Sequence, residues 1–124
     1  EALNVVIRSM KACGVDECEL WSPQIELSPM AAQSAPAADR AKAREALRAW
    51  RLATAPSFYE GVRRRFADAG MTVYAYNLSF NDSFTDAEID HGFTAAKALG
   101  AEVITASTTL PVAKRLVPFA AKHK

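Results

Sequence analysis

The chain has 124 residues, 50% of them hydrophobic, with 15 basic and 14 acidic side chains. This length matches one domain with its own core, and a net charge of +1 does not favour nucleic acid as the main partner. No apolar run reaches the ~18 residues of a membrane span. We therefore expect no membrane association and a cytoplasmic protein, with an export signal left open because the sequence begins with Glu1 rather than Met.

Helical and strand patterns alternate along the chain. Three helical stretches end in a glycine that leads into a short apolar segment with a polar end, and glycine can close a helix in the left-handed conformation. The glycines are Gly14, Gly70 and Gly100, and the strands that follow are predicted near 17–21, 71–77 and 102–106. Right-handed crossovers predict that these strands are parallel, adjacent and in that order.

Apolar residues at helical spacing predict five helices around the strands. The first two cover 2–13 and 40–52, and the third starts at Pro56 and is predicted to bury Phe58, Val62 and Phe66. The fourth starts at the capping box of Thr85 and Glu88, and the fifth starts near Pro111. Between the first strand and the second helix, a segment rich in Pro, Ala and Ser at 23–40 predicts a flexible loop that can act as a lid.

Several side chains are predicted to have structural roles only. Cys13 and Cys18 are expected to be small buried thiols, because their spacing is not that of a redox or metal motif. His91 and His123 are expected to face solvent. The consecutive arginines at 63–65 fan around their helix, which favours a solvated face over a phosphate site.

The carboxyl ends of the strands carry the candidate site residues, because parallel α/β folds place their chemistry there. We predict that five residues line one cavity wall in the complete protein and bind the substrate: Glu19, Trp21, Tyr76, Asn77 and Ser107. Glu19 is an acid within an apolar strand, which is costly to bury unpaired, and a structural carboxylate is its alternative role. Trp21 and Tyr76 suit stacking on a sugar ring or simple packing, with Tyr74 on the same side as Tyr76. Asn77 suits a ligand hydroxyl or a loop cap.

This pattern predicts the α/β class, as a small doubly wound domain or as part of a larger barrel. The segments at 14–22 (GVDECELWS), 66–77 (FADAGMTVYAYN) and 95–105 (AAKALGAEVIT) resemble the sugar phosphate isomerase/epimerase family, within the xylose isomerase-like TIM barrel superfamily. The resemblance implies a partial (β/α)8 barrel, about half of one, running from helix 1 to helix 4 with three parallel strands.

The resemblance also implies a function, which is metal-assisted proton transfer next to a carbonyl of a sugar or sugar derivative. The divalent metal (Mn, Mg, Co or Zn) would be held by the second half of such a barrel, so we expect no metal ligand and no isomerase activity in this chain alone. The expected partner is a small-molecule sugar, and an oligomer is possible. The alternatives are a non-catalytic sugar-binding or interaction module of the same fold and a free-standing small α/β domain.

Overall fold

A computed structural model describes residues 2–27 and 35–124. These residues form five α-helices and three β-strands. In chain order the elements are α1 (Ala2–Ala12), β1 (Glu17–Trp21), α2 (Ala37–Ala53), α3 (Pro56–Asp68), β2 (Thr72–Asn77), α4 (Asp86–Leu99), β3 (Val103–Thr105) and α5 (Leu110–Lys122), with a 3-10 turn at Ser22–Gln24 after β1. No helix in these ranges is long and apolar enough to cross a membrane.

The three strands form one sheet in the order β1-β2-β3, and both neighbouring pairs are parallel. The predicted α/β class, strand order and strand direction are therefore confirmed, and each predicted strand lies within one residue of the observed one. The local signals that predicted these elements act as expected. The three glycines after α1, α3 and α4 have φ angles of 75°, 67° and 77°, which is the left-handed conformation that ends a helix.

The α4 helix begins with the predicted capping box. The Thr85 hydroxyl accepts a hydrogen bond from the Glu88 backbone N–H at 3.2 Å, and the Glu88 carboxylate accepts one from the Thr85 N–H at 3.1 Å. Two backbone donors that the first helical turn leaves without an internal partner are thereby satisfied.

A β-bulge in β2 changes which side chains face the helices. Cys18 of β1 pairs with Val73, but the next residue, Glu19, pairs with Ala75, so Tyr74 has no partner on β1. The extra residue reverses the side-chain alternation beyond that point. Tyr76 is fully buried and Tyr74 is 47% exposed, so the prediction that the two tyrosines share a side is wrong.

The helices bury one face of the sheet. Leu20, Val73 and Tyr76 belong to a continuous apolar cluster with side chains of α1, α3, α4 and α5. The opposite face carries the other half of each strand, including Glu19 and Trp21, which are exposed. No described element covers this second face, and we call it the open face.

Two predictions of burial are wrong and a third is met in part. Cys13 is exposed because it lies in the turn after α1, whereas Cys18 is half-buried and packs against the core. Phe58 is 41% exposed, since α3 faces the core with Tyr59, Val62 and Phe66 instead.

The two histidines are also placed differently from the prediction. Both are partly buried by contacts between helices, in which His91 contacts Tyr59 of α3 and His123 contacts Asp90 of α4. The predicted loop at 23–40 is shorter than expected, because α2 begins at Ala37. Residues 28–34 of that loop lie outside the described residues, so its role as a lid stays a prediction.

Two glycines in different conformations give opposite expectations for substitution by alanine. Gly100→Ala places a Cβ at a φ of 77° and 2.8 Å from Nε of Arg63, so we expect the free energy of unfolding to fall by about 1–2 kcal/mol. Gly61 lies within α3 at an ordinary φ, and a Cβ there meets no atom closer than 3.7 Å. Gly61→Ala should therefore raise the free energy of unfolding by about 0.5–1 kcal/mol. Urea denaturation followed by circular dichroism measures both, and changes of the same sign would contradict this account.

Candidate ligand-binding site

A row of hydrogen-bonded polar side chains crosses the open face at the carboxyl ends of the three strands. The Asn77 Nδ2 donates to Glu19 Oε1 at 3.0 Å and to Thr105 Oγ1 at 2.9 Å. Asn77 and Thr105 are register partners at the last positions of β2 and β3. We call Glu19, Asn77 and Thr105 the polar row. Each strand contributes one member, so the sheet itself fixes their spacing.

The polar row offers more hydrogen-bonding capacity than it uses internally. The two N–H groups of the Asn77 amide are engaged, while its side-chain carbonyl has no partner within the described residues. The Glu19 carboxylate has a second oxygen, and the Thr105 hydroxyl retains its own hydrogen to donate. Acceptors and a donor are thus presented within one short row, which is the pattern that a polyhydroxylated ligand requires.

An exposed aromatic ring lies beside the polar row. Trp21 occupies the last position of β1 and is the register partner of Asn77. Its side chain is 52% exposed, and it lies on the open face because it is two residues beyond Glu19. The prediction that Glu19 and Trp21 share a face is confirmed, and an apolar ring surface is available next to hydrogen-bonding groups.

The other two predicted site residues, Tyr76 and Ser107, have different surroundings. Tyr76 is on the helix-covered face because of the bulge, and its hydroxyl donates to Glu26 Oε1 at 3.4 Å. Burial raises the pKa of Tyr76 well above its ordinary value, with a further contribution from the charge of Glu26. Ser107 is exposed beyond the end of β3, and its backbone N–H donates to the Ser79 hydroxyl at 3.2 Å. Glu19, Trp21 and Asn77 therefore come together on the open face, Tyr76 faces the helices, and the place of Ser107 in a shared cavity wall stays a prediction.

A buried ionic cluster near the same ends of the strands was not predicted. Arg51 of α2 donates to Glu26 from Nε at 2.9 Å and from Nη2 at 2.7 Å. Its Nη1 also lies 3.5 Å from Glu88 Oε1, and Arg48 Nε donates to Glu88 Oε2 at 2.8 Å. Both carboxylates are 4% exposed. We call Glu26, Arg48, Arg51 and Glu88 the Arg51 cluster.

The charges within the Arg51 cluster compensate each other. Burial by itself would lower the pKa of Arg51, but the hydrogen bonds and charge of Glu26 outweigh it and hold the pKa above its ordinary value. The guanidinium carbon also lies 4.8 Å from the ring centre of Phe84, which adds a cation–π contact. The cluster links the segment after β1 to α2 and α4, so its first role is structural.

A cleft of about 220 Å³ lies between the Arg51 cluster and the loop that follows β2. Trp21 forms part of its wall, together with Ser79 and Asn81 of that loop. Arg44 also lines the cleft and makes no ion pair with the described residues. The cleft is small for a complete ligand, but it extends the region around Trp21 with further polar groups.

The described residues do not contain a site suited to a metal ion. In 2–27 and 35–124, no three carboxylate, imidazole or thiol side chains come together. Glu19 is the one carboxylate of the polar row, and its neighbours are an amide and a hydroxyl. The polar row is therefore a hydrogen-bonding surface.

Removal of Arg51 tests the energetic role of its cluster. Arg51→Met leaves Glu26 and Glu88 buried without their shared cation, so we expect the free energy of unfolding to fall by about 3–5 kcal/mol. Arg48→Met is the matched control, because Arg48 is more exposed than Arg51 and Arg51 still contacts Glu88, so its loss should be clearly smaller. Guanidinium denaturation measures both. Adding Glu26→Gln to Arg51→Met should recover part of the loss, and equal losses for the two single variants would contradict the assignment.

The burial of His91, whose Nε2 lies 3.1 Å from Tyr59 Oη, predicts a pH dependence of stability. Burial lowers the pKa of His91 below 6.5, and the positive charge of Arg51 lowers it further, against smaller opposing effects of Glu26, Asp90 and Glu88. His91 therefore binds a proton at a higher pH in the unfolded state than in the folded state. The free energy of unfolding should therefore fall as the pH is lowered from about 6.5 through the folded-state pKa.

Two variants separate burial from the hydrogen bond as the cause. His91→Gln should flatten the dependence of unfolding free energy on pH between about pH 7 and 5. Tyr59→Phe should retain it, because the imidazole stays buried without the hydroxyl. Urea denaturation across this pH range is the measurement. An unchanged slope in His91→Gln would show that another group is responsible.

Comparison of the chain with protein-family models, with curated proteins and with solved structures finds no match.

Proposed function

We propose that this chain forms part of a sugar isomerase/epimerase of the xylose isomerase-like barrel type, and that its open face binds the sugar. The polar row carries the proposal. Glu19, Asn77 and Thr105 present hydrogen-bonding groups from three adjacent strands at their carboxyl ends, which is the end at which barrel enzymes bind their substrates.

The order of the strands supports a barrel. In doubly wound sheets the strand order reverses at one point, and helices then cover both faces. Here the order is sequential, and the described helices pack against one face only. Parallel sheets are normally covered on both faces, so an open face suits the interior of a barrel that further strands would close.

The edges of the sheet support the same arrangement. Within the described residues β1 and β3 each pair with one neighbour, which leaves two open edges. A groove of about 520 Å³ lies between β3, α4 and α5, with apolar side chains such as Ile104, Leu116 and Val117 along it. A following strand–helix unit would cover both the edge of β3 and this apolar surface. The coding sequence on either side of the chain tests this directly, since the barrel requires one strand before and four strand–helix units after.

The chemistry of the open face supports a sugar as the ligand. A sugar has hydroxyl groups that both donate and accept, and C–H surfaces that pack on aromatic rings. The polar row supplies the former contacts and Trp21 the latter. The roles we assign to this chain are therefore binding and orientation, with Glu19 as an acceptor for a ligand hydroxyl.

The metal and the proton-transfer groups of such an enzyme would come from outside the described residues. The divalent ion that the resemblance implies finds no fitting set of ligands here, so no catalytic step is assigned to this chain. The second candidate function is a non-catalytic sugar-binding module of the same fold. It is favoured by the hydrogen bond from the Asn77 amide to Glu19, because a carboxylate held in this way suits binding of a ligand hydroxyl better than proton transfer.

Binding of sugars to the open face can be measured by tryptophan fluorescence. Trp21 and Trp50 are the two tryptophans, so a Trp50→Phe background leaves Trp21 as the only reporter. We expect D-xylose or D-fructose to change its emission with saturation. Asn77→Ala removes two hydrogen bonds and should weaken binding by about three- to tenfold, with little change in melting temperature.

The matched control is Asn4→Ala on α1, which removes the two hydrogen bonds that Asn4 accepts from Arg65 on the helical side, and it should leave sugar binding unchanged. No saturable response with either sugar, or equal weakening by the two variants, would reject the open face as a sugar site. Exchange of the sugar C2 proton with D₂O, measured by NMR on the intact gene product with Mn²⁺, separates the two candidates. The enzyme predicts exchange, and the binding module predicts none.

A further inference from the structure

A groove on the outer surface of the helical layer carries an excess of positive charge. It lies between α3 and α4, has a volume of about 590 Å³, and is bounded at one end by His123. Arg63 and Arg64 line it from α3, and Lys97 lines it from α4. Glu60 is the one acidic residue in its lining. The open face is on the other side of the sheet, so this groove is separate from the polar row.

The three cations of the groove differ from the basic side chains that form ion pairs with acidic residues. Lys11, Arg115 and Lys122 each form an ion pair with an aspartate. Arg63 and Arg64 make no ion pair with the described residues, and the same holds for Lys97. Glu60 is the one carboxylate beside these three cations, so their charge is only partly compensated, and a bound anion would lower their mutual repulsion.

The fold holds the arginines in this position. Arg65 turns away from the groove and donates to Asn4 Oδ1 at 3.1 Å and 2.8 Å. The Arg63 side chain lies over Gly100, where an added Cβ would be 2.8 Å from Nε. Two of the three consecutive arginines therefore reach one groove, although consecutive helical positions point in different directions.

The shape of the groove indicates the size of the ligand. Its volume lies within the range of sites for small molecules, roughly 300–1,000 Å³. Pro56, Ala67 and Ala98 add apolar surface beside the cations. Arginine forks suit the paired oxygens of a phosphate. A surface groove with three cations, on a chain whose net charge is only +1, fits a small anion better than a nucleic acid, which requires a broad basic surface.

We propose that the groove between α3 and α4 binds a small phosphorylated ligand, with Arg63, Arg64 and Lys97 holding the phosphate oxygens and the apolar wall packing against the remainder of the molecule. This site is independent of the sugar-binding function proposed above.

Calorimetry with inorganic pyrophosphate at low salt tests the proposal. Pyrophosphate should bind saturably and more tightly than inorganic phosphate, because it presents more oxygens to the three cations. The double variant Arg64→Gln/Lys97→Gln should weaken pyrophosphate binding by about tenfold or more. The charge-matched control Lys42→Gln/Arg44→Gln on α2 should change it by less than about twofold, since a remote pair of exposed charges is screened.

Two further measurements distinguish the groove from the rest of the protein surface. Asn77→Ala should leave pyrophosphate binding unchanged, because Asn77 lies on the open face. Absence of pyrophosphate binding, or equal weakening by the two double variants, would overturn the proposal. A single-stranded oligonucleotide that binds more tightly than pyrophosphate, and that both double variants weaken equally, would indicate a general polyanion surface and would also overturn it.

Discussion

The pairing of Arg51 with two buried carboxylates is the interaction on which the carboxyl end of this fold depends. Glu26 follows β1, Arg51 lies on α2 and Glu88 lies in the first turn of α4. These elements are distant in sequence, and the ionic contacts hold them at one place. Because the ions are nearly removed from water, each is tolerated only with its partners present. The cluster thereby fixes the segment after β1, from which the environment of Trp21 follows.

The two faces of the sheet have different physical characters. One is packed against helices through aliphatic and aromatic side chains, while the other presents the polar row and an exposed indole ring. Substitutions on the two faces should therefore affect the stability of the fold to different extents. A substitution in the polar row removes a few partly exposed hydrogen bonds, whereas one in the core leaves a cavity. The open face is thus able to vary in sequence without loss of the helical layer.

Much of the fold could be predicted from the sequence because its signals are local. The glycines after the helices, the capping box of Thr85 and the apolar strands each act within a few residues. The sites of the structure that were missed depend on distant contacts. Glu26 and Arg51 are 25 positions apart, and the partners of His91 and His123 are on other helices. An acid such as Glu88 in a capping box gives no sign of its second role in binding Arg48. The three consecutive arginines at 63–65 are evident in the sequence. Only the packing between α3 and α4 determines which of them line the same groove.

The extra residue in β2 has a consequence for how this chain is compared with others. Without Tyr74 the strand would alternate strictly, with Val73 and Tyr76 still facing the helices and Asn77 still on the open face, so a one-residue deletion there would keep every side chain on its present side. A relative that lacks the insertion would carry the equivalent of Asn77 one position earlier in its sequence. An alignment without a gap at this position would equate side chains from opposite faces of the sheet. Superposition of the backbones is the comparison that assigns equivalent residues correctly. It would identify relatives whose strand lacks the extra residue.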